Sequence, residues 1–448
     1  MIIDIPSQVN KALEILSAAG FEAYVVGGAV RDALMGRPVN DWDITTSALP
    51  QETEKLFEDY RVIETGIKHG TVTVIIDGEH IEITTFRIDG DYSDNRRPDS
   101  VEFTCDVTLD LSRRDFTCNA IAYSPLKGFV DPFGGIEDIN NKIVRCVGEA
   151  DRRFNEDGLR ILRALRFSLT LGFTLDSETS SAIHRNRGLL ANISSERIVS
   201  ELCKMLPFTD AEFLDEYSDI IFEIIPELKA EKGCAQNHER HIYDVWYHSC
   251  KAAEYSPPDA EIRLAMLLHD IGKPSCKSTD ENGVDHFYSH AHAGAGITRG
   301  IMNRLKVSNR MKNRIIALVE YHGFMPEQFS DKTMRKYIGT LGTEIMEDLF
   351  AVREADIRAQ NPAFAEEALG QNEAGRKRYE EIISRENCFG IKDLAINGAD
   401  LIAMGIPEGT ALGRILNTLF DDVISDRVLN EKTALAERAK ELYNDGNS

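Results

Sequence analysis

No apolar run in these 448 residues approaches the roughly 18 that a membrane-crossing helix needs, so no segment is expected to span a bilayer. The eight cysteines, at 105, 118, 146, 203, 234, 250, 276 and 388, never occur as C-x-x-C. That spacing argues against a cysteine-held zinc and for reduced thiols in a cytoplasmic protein. Positive charge is also scarce: 51 Lys and Arg face 74 Asp and Glu, a formal net charge of −23. Such a chain resists non-specific attachment to nucleic acid or anionic lipid, so any polyanion must find a local basic surface. The opening MIIDIPSQVNKALEIL has no basic stretch ahead of an apolar core and does not read as a secretion signal. There is no internal repeat and no low-complexity tract, and neither Pro nor Gly is abundant enough for disorder. A soluble folded protein remains, long enough for roughly two to four domains.

One region departs from the acidic average. Residues 141–200 hold ten Lys or Arg, nine of them Arg, against seven Asp or Glu. Arg has the planar fork that suits phosphates and base edges, although a helix laced with ion pairs has the same composition.

Patterning divides the chain in two. Apolar residues at helical spacing over 6–19 predict an opening helix ended by Gly20. FEAYVVGG reads as a strand closing on a glycine pair, VRDALMG as a short helix stopped by Gly36, and NDWDITT (40–46) as the next strand. GTVTVIID and HIEITTF, separated by Gly78 and Glu79, suggest an antiparallel hairpin. VTLDLSRRDFTCNAIAYSP is expected to be first extended and then helical. This mixed pattern up to about 147 predicts a small α/β domain. From 152 onward, apolar residues recur every three or four positions as far as about 442.

The mixed half holds a constellation of phosphate chemistry. Gly27 and Gly28, between strand and helix, can present backbone N–H groups to a phosphate, with Arg31 adding donors and Asp32 anchoring local hydrogen bonds. In a strand, Asp41 and Asp43 would share a face about 6.5 Å apart, with Trp42 and Ile44 on the other. Two like charges that close need a counter-ion, unless they are a solvated strand edge. Mg²⁺ is the natural choice where the remaining ligands are triphosphate oxygens. Two such ions about 3.5–4 Å apart would activate an attacking hydroxyl and stabilise a leaving pyrophosphate. Glu82 could neighbour the pair, but is read as a solvated strand position.

The run GGAVRDALMGRPVNDWDITT resembles the head signature of the polymerase-beta-like superfamily, in its bacterial-type (class II) tRNA nucleotidyltransferase and poly(A) polymerase branch. The resemblance continues through RRDFTCNAIAY, DPFGGIEDI, NEDGLRILRALRF and SSERIVSEL, covering about residues 20–206 in the family's order. It implies an α+β fold: a polymerase-beta-like palm with a mixed sheet (1–147), an all-α neck (148–210), a helical body (211–370) and a helical tail (371–448). It further implies that Asp41 and Asp43 hold the catalytic Mg²⁺. The segment 113–120, with Arg114, Asp115 and Asn119, resembles the ribose- and phosphate-contacting motif, and 131–135 a hinge motif between head and neck. Glu156, Asp157, Arg160, Arg163 and Arg166 fall in a segment similar to the family's protein template for incoming CTP and ATP. The chemistry is coherent: a carboxylate accepts from an exocyclic amine and a guanidinium donates to the adjacent ring nitrogen. Cytosine and adenine share that amine-plus-acceptor edge; uracil and guanine do not. Such a reading is worth ~1–3 kcal/mol. Asp157 and Arg160, three apart, are expected on one helix face. The implied partners are CTP, ATP and the 3′ end of tRNA. The acidic total and the stretch YRVIETGIKHGTVTV fit tRNA end maturation better than polyadenylation. RIDGDYSDNRRPDSVEF, with Arg87, Arg96 and Arg97, is similar to the flexible loop of enzymes that add the full CCA or A alone.

The helical half carries a second set: His248 in YDVWYHS, His269 and Asp270 in LLHDIGK, His290 and His292 in FYSHAHAG, His322 in LVEYHG and Asp356 in VREADIRAQ. Such residues suit Mn²⁺, Fe²⁺, Mg²⁺ or Zn²⁺. The order His248, His269, Asp270, Asp356 resembles the HD metal-dependent phosphohydrolases, with Lys273 placed to meet a phosphate and His290 and His322 as a suggested second position. The expected function is metal-dependent addition of CMP and AMP to a tRNA 3′ end. The alternatives are A-only or poly(A) addition, an HD phosphohydrolase with a nucleotide-binding head, and a silent RNA-binding scaffold.

Overall fold

The computed structural model describes residues 2–66, 70–90, 100–385 and 389–445. The chain forms two compact units, residues 1–208 with 216–226, and residues 209–215 with 227–448.

The first unit opens with the helix Ser7–Ala18, which buries Val9, Ala12, Leu13 and Leu16 at the spacing of one helical face. Its strands up to residue 130, among the described residues, are β1 Ala23–Val26, β2 Asp43–Thr46, β3 Arg61–Gly66, β4 Thr71–Ile76, β5 Glu79–Thr85, β6 Arg87–Asp89, β7 Val101–Phe103, β8 Ala122–Ser124 and β9 Gly128–Val130. Seven form one sheet in the order β3-β4-β5-β2-β1-β8-β9. Only β2 and β5 pair parallel in it; the other neighbours are antiparallel, so the sheet is mixed. β4 alternates, burying Val72, Val74 and Ile76. The hairpin between β4 and β5 turns on Asp77 and Gly78, both at positive φ (50° and 89°), one residue earlier than expected. That conformation matches the twist of the flanking strands and favours an Asp-Gly pair. β6 and β7 form a separate ribbon. Arg87 stands on β6, whereas Arg96 and Arg97 lie outside the described residues.

The order expected for 107–124 is reversed. Val107–Ser112 is helical because the Asp106 carboxylate caps it, accepting from Thr108 N at 2.8 Å. Ala122–Ser124 is drawn into the sheet beside β1. Tyr24, Val26, Phe86, Leu111, Ala120 and Ala122 form the core beneath this end of the sheet. Asp131 caps the helix Gly135–Asn141, accepting from Gly135 N at 2.7 Å and Ile136 N at 2.9 Å. The helix Leu159–Leu171 buries Ile161, Leu162, Leu165 and Phe167 and packs on the helix Ser195–Met205.

The second unit is almost wholly helical. Ala260–Leu268 buries every residue from Ile262 to Leu268, as a helix surrounded on all sides does. Asp259 caps it, accepting from Glu261 N and Ile262 N, each at 2.9 Å. Around it pack Val245–Tyr255, Asn309–Tyr321 and the long helix Asp331–Ala359, which is interrupted at Gly342 (φ 81°). Leu394, Leu401, Ile406, Ile415, Leu419 and Leu435 make a separate core under the C-terminal helices. Seven cysteines are free among the described residues, and no described helix is long and apolar enough to cross a membrane.

Candidate functional site

The first unit gathers the glycine pair and the acidic residues at the centre of its sheet. β2 begins at Asp43, so Asp41 precedes the strand instead of occupying it, and both side chains are exposed while Ile44 is fully buried. In the parallel register Asp43 stands beside Glu82 of β5, an exposed strand position as expected that is also the neighbour of Asp43. The Asp43 carboxyl titrates above the ordinary carboxylate range. Desolvation is the largest cause, followed by the negative charge of Glu82, with Asp41 adding to it and Arg114 opposing. Acidic charge thus exceeds its compensation here, which is the condition a divalent cation relieves.

Gly27, at φ 75°, turns the chain from β1 into the helix Gly28–Leu34. A methyl group on Gly27 would stand 3.1 Å from Arg114 Nη1, so the glycine lets that guanidinium lie against the turn. Arg114 is depressed by burial; Asp110 and Asp43 oppose that effect, and its buried Nε makes no hydrogen bond. Its Nη2 lies 3.7 Å from Asp110 Oδ2. Arg31 is spent locally, on Asp32 (2.9 and 3.0 Å) and Asn119 Oδ1 (2.6 Å). Asn119 in turn donates to Asp115 Oδ1 (3.1 Å), and Arg163 grips Asp115 Oδ2 from Nε (2.9 Å) and Nη2 (2.5 Å). Burial would raise Asp115, but Arg163, the Asn119 bond and Arg160 overcome it and hold the carboxyl at about 2. Phe167 carries three guanidinium groups over its ring, Arg166 at 4.2 Å, Arg31 at 5.0 Å and Arg163 at 5.3 Å.

The structure corrects the expectation for Asp157 and Arg160. Asp157 is not helical: its extended backbone (φ −144°, ψ 105°) joins the helices Ala150–Glu156 and Leu159–Leu171. Arg160 pairs with Glu156 Oε2 (2.7 Å) and donates to the Arg113 carbonyl (3.0 Å), while Asp157 accepts from both Nη atoms of Arg197 (3.2 and 2.7 Å). Arg166 pairs with the buried Glu201 at 2.6 Å. Arg197 and Glu201 were not foreseen as site residues. Both lie in SSERIVSEL, whose spacing of four between them was the available signal.

The second unit draws its histidines and aspartates together. The ligand atoms of His248, His269 and Asp356 all lie within 4.8 Å of one another, as do those of Asp270, His290 and His322. These are the two such groups of three among the described residues, so Asp41, Asp43 and Glu82 are more open than either. His248 Nε2 is 3.0 Å from Asp356 Oδ1, and His269 Nε2 is 3.2 Å from Asp270 Oδ2. His322 is held at about 4, first by burial and then by the neighbouring His269. Lys273 does not reach outward: its ammonium sits between Asp270 Oδ2 (2.6 Å) and Gln236 Oε1 (2.7 Å). His292 is exposed and faces Glu320, away from the cluster. Asp270, His290, His322 and Asp356 of the cluster line a cleft of about 330 Å³ that also takes in His238, His241 and Tyr288. His241, edge-on to His248 at 5.4 Å, was missed by sequence reasoning, although the run HERHIYDVWYH placed it close by.

Comparison with known proteins agrees with this geometry. The chain matches the family described as "Poly A polymerase head domain" over residues 23–145, that described as "Probable RNA and SrmB-binding site of polymerase A" over 172–213, and that described as "tRNA nucleotidyltransferase domain 2 putative" over 291–439. It is 36% identical over 444 residues to the CCA-adding enzyme of Lactobacillus helveticus, covering 98% of each chain. It is 36% identical to that of Geobacillus kaustophilus, covering 93% of this chain and 92% of the other. Among solved structures, the Bacillus stearothermophilus CCA-adding enzyme in complex with CTP superposes with a TM-score of 0.72 at 30% identity, over 98% of both chains. The Thermotoga maritima CCA-adding enzyme complexed with tRNA shares the fold, with a TM-score of 0.60 at 20% identity and coverage of 98% and 96%. Likeness sustained over nearly the whole of both chains at this identity makes the protein a nucleotidyltransferase of the CCA-adding enzyme family.

Proposed function

We propose that the chain completes tRNA 3′ ends with CMP and AMP drawn from CTP and ATP, using Asp41 and Asp43 as ligands for Mg²⁺. The terminal ribose hydroxyl attacks the α-phosphorus, the bond from that phosphorus to the bridging oxygen breaks, and pyrophosphate leaves. Divalent metal, when bound, polarises the phosphoryl group and lowers the pKa of the attacking hydroxyl. The observation that carries this reading is the parallel register that sets Asp43 beside Glu82, with Asp41 two residues ahead and Arg114 as the opposing charge. Arg114 and the backbone of the Gly27–Gly28 turn hold the triphosphate, while Asn119 and Arg31 brace one another and, with Asp115, fix Arg163.

Asp157 and Arg160 read the base edge, with Arg166 anchored beside them. Arg197 and Glu156 hold these two side chains in place, and Asp157 Oδ2 accepts from Arg197 Nη2 at 2.7 Å, where a carboxylate oxygen accepts about two hydrogen bonds, which leaves a lone pair for an amine. Residues 1–147 act as head, 148–210 as neck, 211–370 as body and 371–448 as tail, in a protein that works in the cytoplasm among its tRNA substrates. The test is incorporation of each NTP separately, with Mg²⁺, into tRNA lacking CCA, tRNA ending in CC, and a generic RNA. C followed by A is the expected product. Addition of A to the CC-ending tRNA with no incorporation of C into the tRNA lacking CCA would mark an A-adding enzyme, and uptake of UTP would remove the base-reading role from Asp157 and Arg160.

A second reading applies to the other unit, because His248, His269 and Asp356 converge there beside the cleft. We infer a metal-dependent phosphohydrolase centre of HD type, with a divalent ion on His248, His269, Asp270 and Asp356. Hydrolysis of bis-p-nitrophenyl phosphate with added Mn²⁺, lost in His269→Ala, tests it. Equal rates in the two proteins would dismiss it.

A further inference from the structure

The helix Leu159–Leu171 ends, as every helix does, on four carbonyls that its own N–H groups do not reach. Two are met locally. Gly172, left-handed at φ 69°, turns the chain so that its N–H reaches Leu169 O (3.2 Å) and the N–H of Phe173 reaches Ser168 O (2.9 Å). The other two are met from far along the sequence: Arg37 Nη1 donates to Thr170 O (3.1 Å) and Nη2 to Leu171 O (3.3 Å). One guanidinium thus completes the helix end, where the carbonyls gather partial negative charge and a cation is favoured.

Arg37 also opens the segment that carries the acidic pair. Gly36 turns the chain at φ 67°, and the N–H of Arg37 closes the preceding helix on Asp32 O (2.8 Å). Residues 37–42 then run outside any helix or strand, and the sheet resumes at Asp43, opposite Val26 of β1. Asp43 therefore has a ladder to hold it, and Asp41 has none. Asp41 stands four residues beyond Arg37 and two short of Asp43, and so short a stretch follows its two ends. The ring of Pro38 removes one further rotation from it. The sheet fixes the downstream end and Arg37 the upstream one, on the helix that also carries Arg160, Arg163 and Arg166.

We propose that Arg37 is a positioning residue for nucleotide addition: by capping the helix Leu159–Leu171 it holds Asp41 at a fixed place relative to the side chains that read the base. This rests on the Mg²⁺ reading of Asp41 and Asp43 and adds the tether that orders the first of them. Without the tether, Asp41 must be ordered when the metal arrives, which weakens metal binding and leaves tRNA binding alone.

Trp42, next to Asp41 and half-buried, reports the segment directly, since the other tryptophan of the chain, Trp246, is fully buried. In the metal-free full chain, acrylamide quenching of tryptophan fluorescence is expected to increase in Arg37→Ala. It should stay near the wild-type level in Arg37→Lys, whose ammonium still donates at a helix C-terminus. With Mg²⁺ titrated into the CMP-addition assay, half-saturation should rise about three- to tenfold in Arg37→Ala, the scale of a lost hydrogen bond, with the tRNA Kd unchanged. Arg37 is exposed, so its loss leaves the core packed. Leu16→Ala, which opens a cavity under the first helix, controls for loosening of the whole unit and should keep the wild-type Mg²⁺ dependence. Unchanged quenching in Arg37→Ala overturns the tether. A raised tRNA Kd at unchanged Mg²⁺ half-saturation makes Arg37 a phosphate contact and overturns it too, as does an equal Mg²⁺ shift in Leu16→Ala. Wild-type addition rates in Asp43→Asn would remove the Mg²⁺ reading by itself, and the quenching measurement, made without metal, would still decide whether Arg37 orders Asp41.

Discussion

Asp43 owes its chemistry to a neighbour 39 positions along the chain, because β2 and β5 run parallel and bring Glu82 alongside. Asp43→Asn keeps the volume and removes the charge. Primer-extension kinetics should show kcat lowered at least about 100-fold, some 2.7 kcal/mol of barrier, with tRNA binding retained. Asp115 answers to a different measurement. Its carboxyl is held at about 2, against ~3.9 for an unfolded aspartate. The folded value is the lower, so the stabilisation is fully present above pH ~4 and is lost as the pH falls through about 2; at neutral pH it amounts to ~2 kcal/mol. In urea denaturation, Asp115→Asn should therefore be less stable than the wild type at pH 7, by a margin that narrows at pH 3. The types and order of these residues were legible in the sequence. Their partners were not, since Asp115–Arg163, Asp157–Arg197 and Arg166–Glu201 are separated by 48, 40 and 35 positions and no local pattern joins them.

Helices were the most legible elements, since burial every three or four residues marks Leu159–Leu171 and Ser195–Met205 plainly. Elements fixed by a single cap or by a distant strand were less so, as the reversal over 107–124 shows. The arginine-rich region has a plainer character than its composition suggested: each of its nine arginines, at 145, 152, 153, 160, 163, 166, 185, 187 and 197, lies within ion-pair distance of a carboxylate. RNA phosphates must share these groups with protein. The exposed ones, such as Arg152 at 3.4 Å from Glu156, cost least to redirect. Arg152→Ala should weaken tRNA binding uniformly and lower its salt slope by about one, measured by filter binding across KCl concentrations. In the helix Gly135–Asn141, Gly135 approaches the Thr117 carbonyl so closely that a Cβ would stand 2.1 Å from it. Gly135→Ala is expected to destabilise the first unit by ~1–3 kcal/mol, seen as a lowered thermal midpoint.

At the scale of the whole molecule, the candidate nucleotide-site residues all fall within 1–208, and the residues of the histidine cluster within 227–448. His269→Ala should accordingly abolish phosphoester hydrolysis while CMP and AMP incorporation proceeds at the wild-type rate, both assayed on one preparation. The division into a mixed half and a helical half was visible from hydrophobic period alone. The near-merging of head with neck into one compact unit was not, because it depends on long-range packing that periodicity does not record.

The alternation of β5 has a corollary for how this protein can change over generations. Ile81 and Ile83 point into the core on either side of the exposed Glu82. Losing a single residue ahead of Glu82 would swing a carboxylate into hydrocarbon and present isoleucine beside Asp43, whereas losing two would restore the alternation. Lineages of this chain should therefore tolerate even-numbered length changes at that strand far better than odd ones, and the parity of a deletion will matter more there than the identity of the residue removed.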